Sequence, residues 1–249
     1  MSHNIYHNPA LLLLLALSFV GLFLTGLITF SPPTDRENIP WRKPIAGLII
    51  DSICVSGISA VFFPRRCSQL FHLTRQGYTA VDKPKDSRFP HETIPAIEGH
   101  HPRCENFSTH VFQIGGRTFC TGCTGLLLGG LAVLSGTILY FFGDLYVEHI
   151  ILVVLVGVSG VALGLLQFSL FNTQRISIRL FLNAYFVVGI FLLLVGIDEI
   201  AQSLIADLLF AALSIFWLLT RISLSKWNHE RICYSCNIDM CKYQIKTTF

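Results

Sequence analysis

Six of the eight cysteines in this chain stand in two short clusters. The first cluster spans residues 104–123 and includes a histidine, and the second spans residues 233–241. Each cluster contains a Cys-x-x-Cys pair, and thiolate sulfur together with imidazole nitrogen forms the usual ligand sets of structural zinc sites. The spacing therefore predicts metal binding, with these candidate ligands: Cys104, His110, Cys120, Cys123, Cys233, Cys236 and Cys241.

A short β-hairpin is predicted to assemble the first cluster. Gly115-Gly116 lies between two short segments, Val111–Ile114 and residues 117–119, which is typical of a two-residue hairpin turn. The register that follows pairs Ile114 with Arg117, Phe112 with Phe119 and Val111 with Cys120, and it leaves His110 opposite Thr121. The histidine therefore comes close to the first Cys-x-x-Cys pair.

Three groupings of the candidate ligands fit this arrangement. The hairpin residues could form a closed set with Cys104, giving three thiolates and one imidazole. The tail cysteines could form a site of their own, with His229 as a fourth ligand. Alternatively, the two Cys-x-x-Cys pairs could combine into a split four-cysteine site, which leaves Cys104, His110 or Cys241 without a direct bond to the metal.

Zinc suits all three groupings, and it is the metal that we expect. An iron–sulfur cluster needs cysteine thiolates and fits the four-cysteine arrangement, so it is the second choice. Without a metal, the pairs could cycle between thiol and disulfide. The first Cys-x-x-Cys pair also opens a predicted transmembrane helix, and a helix N-terminus stabilises thiolates. Cys54 and Cys67 stand alone and are predicted to bind nothing.

The composition predicts that a membrane-embedded framework positions these clusters. Hydrophobic residues make up 52% of the 249 residues and charged residues 13%, against about 25% charged residues in soluble domains. A span needs about 20 apolar residues, and a sixth run, residues 45–63, meets this length but contains Asp51. The five clearer runs are Pro9–Phe30 and residues 123–142, 147–168, 178–197 and 200–220. The predicted fold class is an all-α integral membrane protein with five or six transmembrane helices and a small cytoplasmic Cys/His metal-binding hairpin.

Lysine and arginine are unevenly distributed between the runs. Residues 64–119 contain eight of them and the tail from residue 221 contains five, whereas the connections at residues 143–146 and 198–199 contain none. The positive-inside rule therefore predicts a multi-pass protein of the cell membrane with the long loop and the C-terminal tail in the cytoplasm. Six spans put the N-terminus inside and five put it outside; three basic residues between positions 31 and 44 weigh slightly against six. The formal charge of +3 does not indicate nucleic-acid binding.

These features divide the chain into four regions. Residues 1–63 hold the first helix and the sixth run, residues 64–122 the loop with its hairpin, residues 123–220 a four-helix bundle, and residues 221–249 the cysteine-containing tail. Two GxxxG spacings in the bundle, Gly125 with Gly129 and Gly160 with Gly164, allow helix backbones to approach closely. We interpret them as packing within this chain rather than as a dimer interface.

The stretch from Cys104 to Gly129 resembles a family of uncharacterised prokaryotic multi-pass membrane proteins, a domain of unknown function. The pattern of that family is a cysteine with a nearby histidine, a phenylalanine-rich stretch with glycine, and Cys-x-x-Cys-x-Gly entering a transmembrane helix. Cys120-Thr-Gly-Cys123-Thr-Gly125 matches this entry. In the family a histidine directly follows the first cysteine, whereas Glu105 stands there in this chain. The resemblance supports the site and implies no activity.

Several polar residues fall within or beside the predicted spans. Asp207 lies near the middle of the last run and Asn183 within the preceding one. Asp207 is expected either to relay protons or bind a cation, or to be protonated and hydrogen-bonded to a neighbouring helix. The residues of the opposite membrane face are interpreted as a solvated rim of helix ends, with cation binding as the alternative: Asp144, Glu148, His149, Asp198 and Glu199.

A full ligand set with no obvious catalytic residue beside it favours a structural zinc site, because catalytic zinc keeps one position open. The leading hypothesis is therefore a scaffold or accessory subunit in the lipid bilayer, which docks a protein partner of a membrane complex through its zinc module. The second is an enzyme whose metal or thiols act on a lipid or quinone-like substrate. The third is a small transporter in which Asp207 and Asn183 face a common hydrated interior. No catalytic residue is assigned, and the sequence does not decide whether the chain is an enzyme.

Overall fold

The computed structural model describes residues 8–33, 39–62, 110–115, 117–143, 145–168 and 175–234. These residues form six helices and one β-hairpin. In chain order the elements are α1 (Pro9–Phe30), α2 (Arg42–Phe62), β1 (Val111–Ile114), β2 (Arg117–Cys120), α3 (Thr121–Thr137) with its π-helical continuation Ile138–Phe142, α4 (Ile150–Leu166), α5 (Ile176–Ala201) and α6 (Leu204–Tyr234).

Several of these helices have the length and composition of membrane spans. Four helical segments are long and apolar enough to cross a bilayer: Pro9–Phe30, Thr121–Phe142, Ile176–Ala201 and Leu204–His229. α4 is also apolar but has only 17 residues. α2, which covers most of the sixth predicted run, has 21 residues and is not among these four. The all-α, membrane-type architecture is therefore confirmed. The last helix differs from the prediction, because it continues 14 residues beyond position 220.

α5 lies at the centre of the bundle, with α3 and α4 against it. A Cβ atom added to Gly125 would lie 2.5 Å from the carbonyl oxygen of Leu180, and one added to Gly160 would lie 2.8 Å from that of Tyr185. Such distances are far below ordinary contact, so only glycine fits at these two positions. The two GxxxG spacings therefore pack inside this chain, which confirms their interpretation.

α1 and α2 complete the bundle on its other sides. The Ser18 hydroxyl donates to the Thr220 hydroxyl at 3.2 Å, and the Trp217 indole N–H donates to the Ser18 carbonyl at 3.1 Å, so α1 is tied to the middle of α6. α2 lies along α3, where Ile58 meets Gly130 and Gly47 meets the π-helical turn.

These contacts fix the direction of each helix. α1, α3 and α5 run one way, and α2, α4 and α6 run the other way. We call the end of the bundle where α1 begins, the β-hairpin lies and α6 ends the hairpin end. The opposite end, where α2 begins and α5 meets α6, is called the carboxylate end.

The predicted hairpin is present with the predicted register. Val111 pairs with Cys120, Phe112 with Phe119 and Ile114 with Arg117. Gly115 has φ +57°, the left-handed conformation that a tight hairpin turn requires and that glycine adopts readily. β2 leads into α3 without a connecting loop, because Cys120 is both the last strand residue and the N-cap of the helix.

Gly125→Ala is expected to destabilise the protein by about 1–3 kcal/mol, because its methyl group has to displace the α5 backbone. The measurement is the free energy of unfolding of the purified protein in detergent. Gly26→Ala in α1 is the matched control, since nothing lies within 4 Å of its added Cβ, and it should be neutral or gain up to about 1 kcal/mol. Equal effects of the two substitutions would contradict the packing of α3 on α5.

Candidate functional sites at the two ends of the bundle

At the hairpin end, the first Cys-x-x-Cys pair stands at the start of α3. Cys120 is the N-cap and Cys123 lies in the first turn, and both side chains are half-buried. No side-chain hydrogen bond caps this helix N-terminus, and the Thr124 hydroxyl donates to the Cys120 carbonyl at 2.9 Å. The backbone N–H groups and the dipole of α3 therefore favour negative charge at the two sulfur atoms.

A buried arginine from α6 faces this pair. Arg221 is 4% exposed and lies against the rings of Phe168 and Phe186, with its guanidinium carbon 5.2 Å and 5.1 Å from their centroids. Its Nε and Nη2 atoms have no hydrogen-bond acceptor among the described residues, and it interacts electrostatically with Cys120 and Cys123. An uncompensated buried charge is strongly unfavourable, so the two sulfur atoms are the natural counter-charge of Arg221.

The histidine of the hairpin has a different environment. His110 is buried, its Nε2 accepts a hydrogen bond from Arg179 Nη1, and its ring lies 5.7 Å from the ring of His229. A neutral imidazole that accepts at Nε2 carries its proton on Nδ1, so neither nitrogen is left for a metal. Ligation by His110 would require this hydrogen bond to be exchanged for a metal, and it stays a prediction.

The other predicted ligands are placed only in part. The backbone of Cys233 lies in the last turn of α6, four residues after His229, which brings it to the hairpin end. Cys104, Cys236 and Cys241 lie outside the described residues, as does Cys67. Within the described part of the chain, no three His, Cys, Asp or Glu side chains are arranged to hold a metal ion. Zinc binding therefore stays a prediction.

The carboxylate end contains a buried network that the sequence analysis missed. Asp198 was interpreted as part of a solvated rim, but it is 1% exposed, and Glu199 is also largely covered. Asp207 was assigned to the middle of a span, but it lies in the first turn of α6 and is buried. Both interpretations were wrong, whereas Glu148 and His149 are exposed as expected; Asp144 is not among the described residues.

Arg42 joins the two buried aspartates. Its Nη1 donates to Asp198 Oδ1 and to Asp207 Oδ2, the latter at 2.7 Å. Lys43 Nζ donates to Glu199 Oε1 at 2.9 Å and lies 3.7 Å from Asp198 Oδ2. The first two residues of α2 therefore hold the end of α5 and the beginning of α6 together.

Tyr140 completes the network from the π-helical turn. Its hydroxyl oxygen lies 2.6 Å from Asp198 Oδ2 and 2.7 Å from Glu199 Oε1, and the Lys43 ammonium lies 4.5 Å from its ring centroid. Single π-helical turns often occur at functional sites, where they change the direction of a side chain. We call the six residues of this network the carboxylate cluster: Arg42, Lys43, Tyr140, Asp198, Glu199 and Asp207.

A tight corner brings the aspartates together. Only two residues separate α5 from α6, and Gln202, the first of them, has φ +47°. Asp198 and Asp207 therefore stand in the adjoining turns of two consecutive helices. The sequence contained a signal for this cluster, because two basic residues at positions 42–43 fall on the membrane face where the positive-inside rule expects none and where three carboxylates also lie.

Asn183 lies far from this cluster. It precedes Asp198 by 15 residues in α5, which corresponds to about 22 Å along the helix axis, and its Nδ2 donates to the Arg179 carbonyl. Asn183 and Asp207 therefore lie towards opposite ends of the bundle, and the transporter hypothesis stays a prediction.

A comparison with protein-family models, curated proteins and solved structures found no match to this chain. The resemblance of the Cys-x-x-Cys-x-Gly entry to a family of uncharacterised membrane proteins therefore stays a prediction.

Arg42→Met is expected to destabilise the protein by about 3–5 kcal/mol, because it leaves two buried carboxylates without their shared cation. Lys43→Met is the matched control. It should cost clearly less, since the Lys43 side chain is 31% exposed and its shorter ion pair is with the partly covered Glu199. Unfolding in detergent measures both, and an Arg42 variant as stable as the Lys43 variant would contradict the buried bridge.

Proposed function

We propose that this chain is a multi-pass membrane protein whose two Cys-x-x-Cys pairs together bind a structural metal ion, most simply zinc. Cys120 and Cys123 would supply two ligands, and Cys233 and Cys236 the other two. The metal would fasten the C-terminal tail to the hairpin. The resulting rigid cytoplasmic surface would brace or dock a protein partner in a membrane complex.

The observation that carries this proposal is the arrival of α6 at the hairpin. Arg221 lies beside the first cysteine pair, His229 lies beside His110, and α6 continues to Tyr234. The second cysteine pair begins in the last turn of that helix. A separate tail site would gain nothing from this convergence, whereas a split site depends on it.

The charges at the hairpin end also favour the split site over the set that contains His110. Four thiolates around a divalent cation carry a net charge of two minus. The buried cation Arg221 faces one cysteine pair, and the hydrogen bond from Arg179 occupies His110 Nε2, which favours the cysteines as ligands. The start of α3 adds a partial positive charge.

The direction of the helices supports a particular topology. The start of α1, the hairpin and the end of α6 share one end of the bundle, as six alternating spans require. The three basic residues between positions 31 and 44 weighed against six spans, but Arg42 and Lys43 are neutralised by carboxylates. We therefore propose six spans, with both termini and the hairpin end in the cytoplasm.

Metal analysis of the full-length protein purified in detergent tests the site. We expect about one zinc ion per chain, which is lost in Cys120→Ser and equally in Cys233→Ser. His110→Ala should keep its zinc, because the histidine is not a ligand in the split site. Loss of zinc in His110→Ala with retention in Cys233→Ser would instead identify the set containing Cys104, and a protein without metal after reducing purification would refute the proposal.

Arg221→Met is expected to weaken zinc binding by about 10- to 100-fold, the usual effect of removing a group that supports the ligands. The dissociation constant, measured by competition with a chelator, reports this change. Arg231→Met is the control on the same helix, because Arg231 packs over the ring of Trp227 and should leave zinc affinity unchanged. A similar affinity in both variants would show that Arg221 does not balance the thiolate charge.

A further inference from the structure

The carboxylate cluster has an odd number of charges. Arg42 and Lys43 contribute two positive charges, and Asp198, Glu199 and Asp207 contribute up to three negative ones. With every group ionised, the network would carry one net negative charge. Most of it is buried, and an uncompensated charge between transmembrane helices is strongly unfavourable.

The hydrogen bonds of Tyr140 also require one proton on a carboxyl group, independently of the charge count. Tyr140 has one hydroxyl hydrogen, yet its oxygen is in close contact with two carboxyl oxygens, Asp198 Oδ2 and Glu199 Oε1. Both distances are in the range of strong O–H···O hydrogen bonds. The phenol can donate only one of them. The other contact needs a proton on a carboxyl group, which then donates to the phenol oxygen.

We propose that the carboxylate cluster is a proton-binding site that holds one exchangeable proton. The proton comes from water at the carboxylate end and converts the network from a net charge of minus one to neutral. It belongs to the coupled cluster rather than to a single residue, because the carboxyl groups share Arg42 and Tyr140 as partners.

No other described helix brings a competing charge to this site. The groups that form it come from the start of α2, the π-helical turn, the end of α5 and the start of α6. Neither α1 nor α4 contains a charged or titratable residue. The two cations on α2 hold the three carboxylates close together. Because there is one carboxylate more than there are cations, one bound proton makes the network neutral.

Binding of this proton couples the charge state of the network to helix packing. Loss of the proton leaves a negative charge between the ends of α2 and α5 and the beginning of α6, which repels the carboxylates from one another. The contacts that join these three helices therefore weaken as the proton leaves. The site is independent of the cysteines, which lie at the other end of the bundle.

Infrared spectroscopy of the full-length protein in detergent tests the proposal through the C=O stretching band of a protonated carboxyl group. Asp51 is a carboxylate within α2 whose Oδ1 has no hydrogen-bond partner among the described residues, so the experiment uses an Asp51→Asn background. We expect a band of one group per chain at neutral pH, with a frequency shift in heavy water. Asp198→Asn and Glu199→Gln should each abolish it, because two carboxylates with two cations need no proton and Tyr140 is then left with a single carboxylate to which it donates.

Two further variants keep the test decisive if one of these substitutions prevents folding. Lys43→Met leaves more carboxylates than cations and should retain the band. Tyr140→Phe leaves every charge in place, so the band should persist at a changed frequency, because the carboxyl group has lost its partner. Absence of the band in the Asp51→Asn background protein, or its persistence in both the Asp198→Asn and the Glu199→Gln variant, would overturn the proposal.

Discussion

Close backbone contact on α5 is the constraint on which the rest of this structure depends. Helices in a bilayer gain little from burying apolar side chains, so their association relies on contact and on polar interactions between helices. Glycines of α3 and α4 approach the α5 backbone from two sides, and Gly189 of α5 itself lies against the α4 backbone. This contact sets the positions of the helix ends, and both polar sites lie at those ends.

Charge is handled differently at the two ends of the bundle. At the hairpin end, Arg221 is a buried cation between aromatic rings, and two cysteine sulfurs are its electrostatic partners. At the carboxylate end, carboxylates outnumber cations and a tyrosine links two of them. An excess of positive charge suits anionic ligands of a soft metal, and an excess of negative charge suits a proton. Between the two ends, the buried side chains are mostly apolar, and the polar ones include the hydrogen-bonded hydroxyls of Ser18 and Thr220.

The parts of the structure that could be predicted from the sequence depend on local patterns. The hairpin register followed from the two-residue turn at Gly115-Gly116, and the spans followed from apolar runs. The carboxylate cluster could not be found in this way, because Arg42 lies 156 residues before Asp198, and charges at a span end look the same whether they are paired or solvated. The role of Arg221 was equally hidden, since the basic residues of the tail were considered only as a topology signal.

The position of Arg221 also has a consequence for the order in which the protein is made. Its slot between Phe168 and Phe186, beside the cysteines at the start of α3, is formed by residues that leave the ribosome earlier than α6. Until the last helix inserts, this slot lacks its cation and the cysteine pair lacks its counter-charge. Completion of the hairpin end is therefore a late event in biogenesis, and a chain truncated before α6 would expose a recognisable, unfinished surface to the machinery that surveys nascent membrane proteins.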